Sequence, residues 1–66
     1  MNELFNEIKQ EHHFETDTQL ADFLLLSKTQ ISLLRAGKKL SAYTLMRLHD
    51  KTGRSVEEIR RYARRA

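Results

Sequence analysis

The chain of 66 residues has no cysteine, no proline and no tryptophan, and it has only two glycines. Without cysteine, neither a disulfide nor a thiolate metal site can form, so the covalent staples of many small domains are excluded. A chain this short buries only about 60% of the surface that its unfolded form exposes. We therefore expect one domain over residues 1–66, of marginal stability, that depends on helix capping and self-association.

Long hydrophobic runs are also absent. No apolar stretch approaches the roughly 20 residues that a membrane-spanning helix needs, and the first ten residues, MNELFNEIKQ, lack the positive segment and apolar core of a secretory signal. Together with the absence of cysteine, these features predict a soluble protein of a reducing compartment, without contact to a membrane.

Signs of catalysis and of cofactor binding are missing too. No serine or threonine has a base and an orienting group beside it, and no glycine-rich loop could cradle a nucleotide. The histidines His12, His13 and His49 are too few and too scattered for a metal site, because adjacent residues cannot share a helix face. We expect no enzyme, no cofactor, no metal and no small-molecule substrate.

Charge is distributed unequally along the sequence. Residues 1–27 carry six acidic residues and one lysine, whereas residues 28–66 carry eleven Lys and Arg and three acidic residues. Such a division predicts one acidic and one basic surface. A solvated charged surface is the plain explanation, but the basic half begins at Lys28, where a helix is predicted to start, and this favours a polyanionic partner.

Caps and hydrophobic spacing predict five short helices and no strand. We place helix 1 over about residues 2–12, helix 2 over about 17–24 and helix 3 over about 28–35, with helix 4 starting near Ser41 and helix 5 at Ser55. Capping boxes are predicted at Thr16–Gln19, Ser27–Gln30 and Ser55–Glu58, and Gly37 and Gly53 are expected to end helices 3 and 4. The residues expected to face inward are Leu4, Phe5, Ile8, Leu20, Ala21, Leu24, Leu26, Ile31, Leu34, Leu45, Leu48, Val56 and Ile59.

Many single residues of this chain match, in one register, the sequence pattern of a known protein family. They are Leu20-Ala21, Leu24, Ser27-Lys28, Ile31-Ser32, Arg35-Ala36-Gly37, Leu40-Ser41, Leu45, Leu48 and residues 55–59. With these residues the chain resembles the phage Cro and repressor proteins, also called the Xre family, over about residues 16–60. The resemblance implies an all-α, compact five-helix bundle of the lambda repressor type, with a helix-turn-helix at residues 16–37.

The resemblance also implies a function. It implies sequence-specific binding of double-stranded DNA, with helix 3 in the major groove of an inverted-repeat operator, and transcriptional repression. It further implies a homodimer, weak or formed only on DNA, in the cytoplasm of a bacterial or phage-infected cell. Because Ile31 and Leu34 turn inward, the residues left to read bases are Lys28, Thr29, Ser32 and Leu33.

Each of these residue types suits a base edge. Lys28 can donate to guanine O6 and N7 or to a phosphate, Thr29 can hydrogen-bond either kind of base pair, and Leu33 can contact a thymine methyl. Gln30 could read adenine, but we favour its use in the cap on Ser27. Phosphate contacts are expected to flank helix 3, from the backbone N–H groups of Asp17 and Thr18 and from Lys38, Lys39, Ser41 and Tyr43.

Two positions depart from the family pattern. Leu25 occupies the turn position where glycine is common, and positive φ costs a non-glycine residue about 1 kcal/mol or more. Either the turn differs or Leu25 tolerates the strain. The Asp17 carboxylate would repel a phosphate, so its side chain is expected to favour the helix dipole or to orient Lys28 or Gln30.

Some alternatives stay open. The basic run at residues 60–65 is a solvated helix end, a contact to a neighbouring phosphate, or part of a dimer contact in which Tyr62 and Ile59 take part. Leu33, Tyr43 and Met46 are further dimer candidates. In the alternative function, the helix-turn-helix is the structural core of a protein-interaction module, such as an antitoxin or a polymerase-binding partner, and exposed Phe23, Leu25 and Leu33 dock the other protein.

Overall fold

The computed structural model describes residues 1–64, which form five α-helices and no strand. The helices are α1 (Asn2–His12), α2 (Asp17–Leu24), α3 (Lys28–Arg35), α4 (Ala42–Thr52) and α5 (Val56–Arg64). They pack into a body of 25 × 23 × 20 Å with a Cα radius of gyration of 10.5 Å. The predicted all-helical class is confirmed, and none of the helices in this range is long and apolar enough to cross a membrane.

Side-chain caps define where the helices begin. In α2, Thr16 Oγ1 accepts from the Gln19 N–H at 3.2 Å while Gln19 Oε1 accepts from the Thr16 N–H at 3.2 Å. Ser27 and Gln30 form the same reciprocal pair at the start of α3. These two capping boxes are confirmed. A cap of this kind typically contributes about 1 kcal/mol, which is a sizeable share of a small domain's stability.

The third predicted box forms only in part. Ser55 Oγ accepts from the Glu58 N–H at 3.1 Å, but within residues 1–64 the Glu58 carboxylate makes no return bond to the Ser55 N–H. Ser41 also caps its helix, because its Oγ accepts from the Thr44 N–H at 3.2 Å. A hydroxyl-bearing residue therefore directly precedes and caps each of the four helices from α2 to α5.

The turn between α2 and α3 has the left-handed conformation that glycine favours. Leu25 adopts φ 56° and ψ 38°. The Leu26 N–H donates to the Ala21 carbonyl at 2.9 Å and the Leu25 N–H to the Asp22 carbonyl at 3.3 Å, the paired bonds of a Schellman ending. The turn thus keeps its glycine-like geometry, and Leu25 carries the strain.

Twelve of the thirteen predicted inward residues form one buried core, and Val56 is half-buried against it. Eight residues are fully enclosed: Leu4, Phe5, Ile8, Leu20, Leu24, Ile31, Leu48 and Ile59. Fully burying a side chain of this size contributes about 1.5–3 kcal/mol, so this core is the main stabilising element. Ile59 has no exposed surface, and its prediction as a dimer contact is wrong.

The C-terminal part of the chain is fastened to α1 by polar contacts. Arg54 Nη2 lies 2.7 Å from Glu11 Oε2 and 3.7 Å from Glu7 Oε1. The Tyr62 hydroxyl donates to the Glu7 carboxylate at 2.8 Å, and this hydrogen bond raises the pKa of Tyr62 above its ordinary value of 10.0. Tyr62 is therefore half-buried within its own chain, which speaks against its use as a dimer contact.

Candidate nucleic-acid interface

The helix α3 has a buried side and an exposed side. Ile31 is fully buried and Leu34 is 5% exposed, so these two residues hold the helix against the core. Three residues, Leu25 to Ser27, connect it to α2, a connection length typical of a helix-turn-helix. All four residues predicted to read bases are exposed on α3: Lys28, Thr29, Ser32 and Leu33.

The first turn of α3 separates capping residues from free ones. Gln30 Oε1 accepts from the Ser27 N–H at 3.0 Å, so the predicted use of Gln30 as a cap is confirmed. Within residues 1–64, neither the side chains nor the backbone N–H groups of Lys28 and Thr29 form a hydrogen bond. These two residues begin the helix with their donors available to an external acceptor.

Four of the residues predicted to contact phosphate surround α3 with unused donors. The backbone N–H groups of Asp17 and Thr18 have no acceptor in the described part of the chain. Lys38 is exposed directly after α3, as is Lys39, and neither forms an ion pair there. The Ser41 hydroxyl, in contrast, caps α4 and donates to Thr44 Oγ1 at 3.0 Å. Its carbonyl accepts from the Leu45 N–H at 2.9 Å, so its backbone N–H is the group left for an outside contact.

The Asp17 side chain is bound by two cations, and this differs from the prediction. Arg35 Nε lies 2.9 Å from one carboxylate oxygen, and Lys9 Nζ lies 3.2 Å from the other. The predicted partners Lys28 and Gln30 are therefore wrong. The hydrogen bond from Arg35 and then that from Lys9 lower the pKa of Asp17 below its ordinary value of 3.8, against the opposing effect of burial.

This ionic cluster changes what an approaching phosphate meets. Two cations surround one carboxylate, so the group made of Asp17, Arg35 and Lys9 carries a net positive charge. The repulsion expected from an isolated aspartate at the start of α2 is thereby removed. The free N–H groups of the first turn then act beside a positive cluster rather than a negative one.

Arg35 is a residue of this candidate site that the sequence prediction missed. Besides Asp17, its guanidinium donates to Asn2 Oδ1 at 3.0 Å and to Asn6 Oδ1 at 3.3 Å, and its Cζ lies 5.4 Å from the centre of the Phe5 ring. It fixes the end of α3 to α1 and to the start of α2. Its partners lie 18 or more residues away, so no local pattern could have identified them.

The predicted contact residue Tyr43 has a neighbour that was also missed. Tyr43 is 60% exposed on the first turn of α4. Arg47 donates to its hydroxyl and holds its Cζ 5.0 Å from the centre of the Tyr43 ring, so the two side chains form one cation–π pair. Their spacing of four residues on a helix was the signal that could have found this pair.

The predicted division of charge is reduced by internal pairing but not removed. Arg35 and Arg54, from the basic half, bind acidic residues of the first half. Within residues 1–64 the remaining cations of the basic half form no ion pair, namely Lys28, Lys38, Lys39, Arg47, Lys51, Arg60, Arg61 and Arg64. Arg65, also part of the predicted basic run, lies outside the described residues.

Two of the three apolar residues predicted to dock another protein are exposed. Leu25 is 58% exposed and Leu33 is 41% exposed. Phe23 is half-buried rather than exposed, and the centre of its ring lies 4.4 Å from that of the His12 ring. Its prediction as an exposed docking residue is therefore wrong. Among residues 1–64, no three His, Cys, Asp or Glu side chains are placed to hold a metal ion.

A comparison of the chain with protein-family models, with curated proteins and with solved structures finds no match. The family resemblance of residues 16–60 therefore stays a prediction from the sequence, and the functional argument depends on the geometry of α2, α3 and their flanks.

Proposed function

We propose that this protein binds double-stranded DNA in a sequence-specific manner, through a helix-turn-helix formed by α2 and α3. One observation carries the proposal. The exposed side of α3 includes Lys28, Thr29, Ser32 and Leu33, while its opposite side is fixed to the core by fully buried Ile31. A helix held in this way offers its first turns to the major groove, which is wide enough to admit an α-helix.

The side chains of this face supply the contacts that base edges require. The Lys28 ammonium donates to guanine O6 and N7, the Thr29 hydroxyl donates or accepts at either kind of base pair, and Leu33 contacts a thymine methyl. Since Gln30 is occupied by the Ser27 cap, it stays out of the reading set. Ser32, one turn further along, adds a second hydroxyl.

Contacts to the sugar-phosphate backbone come from both sides of α3. The free N–H groups of Asp17 and Thr18 lie on one side, beside a positively charged cluster. The other side has Lys38, Lys39, the backbone at Ser41, and Tyr43. Such contacts set affinity and orientation on the duplex, whereas the α3 residues set the sequence.

The biological outcome we propose is transcriptional repression of the Cro type. A homodimer, weak or formed only on DNA, would bind an inverted repeat, and the bound protein would exclude other proteins from the operator. Exposed Leu33, Tyr43 and Met46 are the dimer candidates that the structure leaves accessible. Exposed Leu25 and Leu33 support the second candidate function, a protein-interaction module, for which we expect no salt-dependent affinity for DNA.

Selection of bound sites from a random duplex pool tests the proposal directly. We expect an inverted repeat to be enriched. On that site, Lys28→Ala and Thr29→Ala should each cost about 1–3 kcal/mol and relax the preference at defined base pairs. Lys39→Ala should instead weaken binding to all duplexes alike and reduce the slope of log affinity against log salt by about one unit.

Lys51→Ala is the matched control. Lys51 is exposed in the last turn of α4, about 15 Å along the helix from Ser41. Its substitution removes one positive charge, as Lys39→Ala does, but at a distance from the proposed interface. We expect it to leave the sequence preference unchanged and to alter the salt slope less than Lys39→Ala does. No enriched sequence, or an equal loss on selected and random DNA for Lys28→Ala, would contradict base reading.

A further inference from the structure

A groove next to the proposed DNA interface has no role in the proposed reading of bases. It has a volume of about 670 Å³ and lies between the start of α1, the loop from α3 to α4, and the last turn of α5. Its floor is apolar, formed by the core residues Leu34 and Leu45 and by half-buried Leu40. The volume lies within the range of about 300–1,000 Å³ that is usual for ligand sites.

The walls of this groove are positively charged. Four cations line it, Lys38 and Lys39 from the loop and Arg60 and Arg64 from α5, against one carboxylate among the described lining residues, that of Glu3 on α1. All four are exposed, and none has an ion-pair partner in residues 1–64. Arg35 also lines the groove, but it shares the Asp17 carboxylate with Lys9. Four of the eight cations of the basic half that form no ion pair within residues 1–64 therefore meet at this groove.

An apolar floor between positively charged walls is complementary to a ligand that carries both negative charges and an apolar group. We propose that the groove binds an acidic peptide segment of another protein, with carboxylates on Lys38, Lys39, Arg60 and Arg64 and an aliphatic side chain on the leucine floor. A phosphodiester strand would neutralise the cations, but it carries no aliphatic side chain for Leu34, Leu40 and Leu45. The chemistry of the floor therefore favours a peptide over a nucleic acid.

Two of the four cations belong to both surfaces. Lys38 and Lys39 line the groove and are also proposed phosphate contacts. An acidic peptide in the groove should therefore compete with DNA for the protein, and this consequence depends on the proposed function. Binding of the peptide itself does not depend on it, because Arg60, Arg64 and the floor lie outside the proposed DNA interface.

The probe is a short fluorescein-labelled peptide in which Glu and Leu alternate, measured by anisotropy without DNA and at physiological ionic strength, where distant charges are screened. A peptide with Ser in place of Leu carries the same charge and tests the floor. We expect the Glu-Leu peptide to bind roughly tenfold more tightly than the Glu-Ser peptide. The double variant R60Q/R64Q should bind the Glu-Leu peptide roughly tenfold more weakly than the native chain does.

The double variant K51Q/R61Q is the matched control, because Arg61 lies on the same helix but neither residue lines the groove. We expect it to retain the affinity of the native chain. Thermal unfolding should be similar for both double variants, since all four side chains are exposed. Equal affinity for the two peptides, or equal losses in the two double variants, would overturn the proposal by reducing the effect to general charge attraction.

The two proposals fail separately. A chain that binds the Glu-Leu peptide but enriches no duplex retains the groove and loses the DNA-binding function. If the protein selects an operator but does not bind the peptide, the proposed DNA-binding function is retained and the proposed peptide site is refuted. If random duplex affinity, rather than peptide affinity, is lost in R60Q/R64Q, the groove is a nucleic-acid contact and the peptide proposal is wrong.

Discussion

Leu25 combines two unfavourable features at one position. It has positive φ, which a residue with a Cβ adopts at a cost of about 1–2 kcal/mol, and its side chain is 58% exposed. Its neighbours Leu24 and Leu26 are buried, so the chain on either side is fixed by the core. The backbone bonds at Ala21 and Asp22 then hold Leu25 in the turn that leads into α3.

Replacing Leu25 with glycine should stabilise the protein. Glycine adopts φ 56° without the clash at Cβ, and little buried surface is lost because the leucine is mainly exposed. We expect Leu25→Gly to raise the free energy of unfolding by about 0.5–1 kcal/mol, after the greater entropy of an unfolded glycine is included. Urea denaturation of the two proteins at neutral pH measures the difference.

The same change at Leu33 supplies the control. Leu33 is also partly exposed, but it lies inside α3, where glycine costs about 1 kcal/mol relative to a good helix former. Leu33→Gly should therefore destabilise the protein while Leu25→Gly stabilises it. A loss of stability in both variants would show that the Leu25 side chain, and not its backbone, determines the effect.

Residue-scale predictions succeeded where the determinant is local. The sequence places Gln30 in the cap on Ser27 because donor and acceptor are three residues apart on one helix turn, and the structure has that bond. The conformation at Leu25 could not be decided from the sequence. Its cost competes with the burial of Leu24 and Leu26, and that balance depends on the whole core.

At the scale of elements, one ionic cluster joins α1, α2 and α3. Asp17 begins α2, Arg35 ends α3, and Lys9 lies on α1, with carboxylate–cation distances of 2.9 to 3.2 Å. Both oxygens of the carboxylate accept from the Arg35 guanidinium, a bidentate geometry that is stronger than a single hydrogen bond. The orientation of α3 relative to α2 should depend on this cluster.

Asp17→Asn should make the stability of the protein less dependent on acid pH. The pKa of Asp17 is lowered in the folded state, so its stabilisation is complete above its ordinary value of 3.8 and is lost as pH falls through the folded value. We expect the variant to lose about 1–2 kcal/mol of unfolding free energy at neutral pH. The gap between the two proteins should close in urea titrations performed at pH values progressively below 3.8.

Asp22→Asn controls for the general effect of removing one negative charge. Asp22 lies on the same helix, is exposed, and forms no ion pair within residues 1–64. We expect the free energy of unfolding of Asp22→Asn to differ little from that of the native chain at any of these pH values. If both variants showed the same pH dependence, the cluster around Asp17 would have no specific role.

The elements themselves were largely predictable, but their connections were not. Helix limits follow from capping residues and glycines within a few positions of each helix end, so two capping boxes and all five helices were found. The bonds from Arg35 to Asp17 and from Arg54 to Glu11 span 18 and 43 residues. Pairs so distant form only once the core has placed the helices, and a sequence pattern does not contain that placement.

At the scale of the whole molecule, size limits what one copy can read. Residues 1–64 extend 25 Å along their longest axis, whereas successive major grooves on one face of a duplex lie about 34 Å apart. One copy can therefore place α3 in one groove only. If the proposed function holds, an inverted repeat has to be read by two copies, and their joint binding requires that they touch across the centre of the site.

Contact between two copies gives a strict prediction about spacing. Two bodies of 25 Å that touch through their side chains hold their α3 helices closer together than the roughly 68 Å between half-sites separated by an added helical turn. An insertion of about five base pairs fails for a second reason, because it rotates one half-site to the opposite face. We expect both insertions, made in the centre of the selected operator, to reduce binding to that of two independent half-sites. Gel-shift titrations would show this as the loss of joint occupancy, with the affinity for a single half-site unchanged as the internal control. Joint occupancy that survives either insertion would mean that copies bind without touching, and the dimer would then be absent from the mechanism of repression.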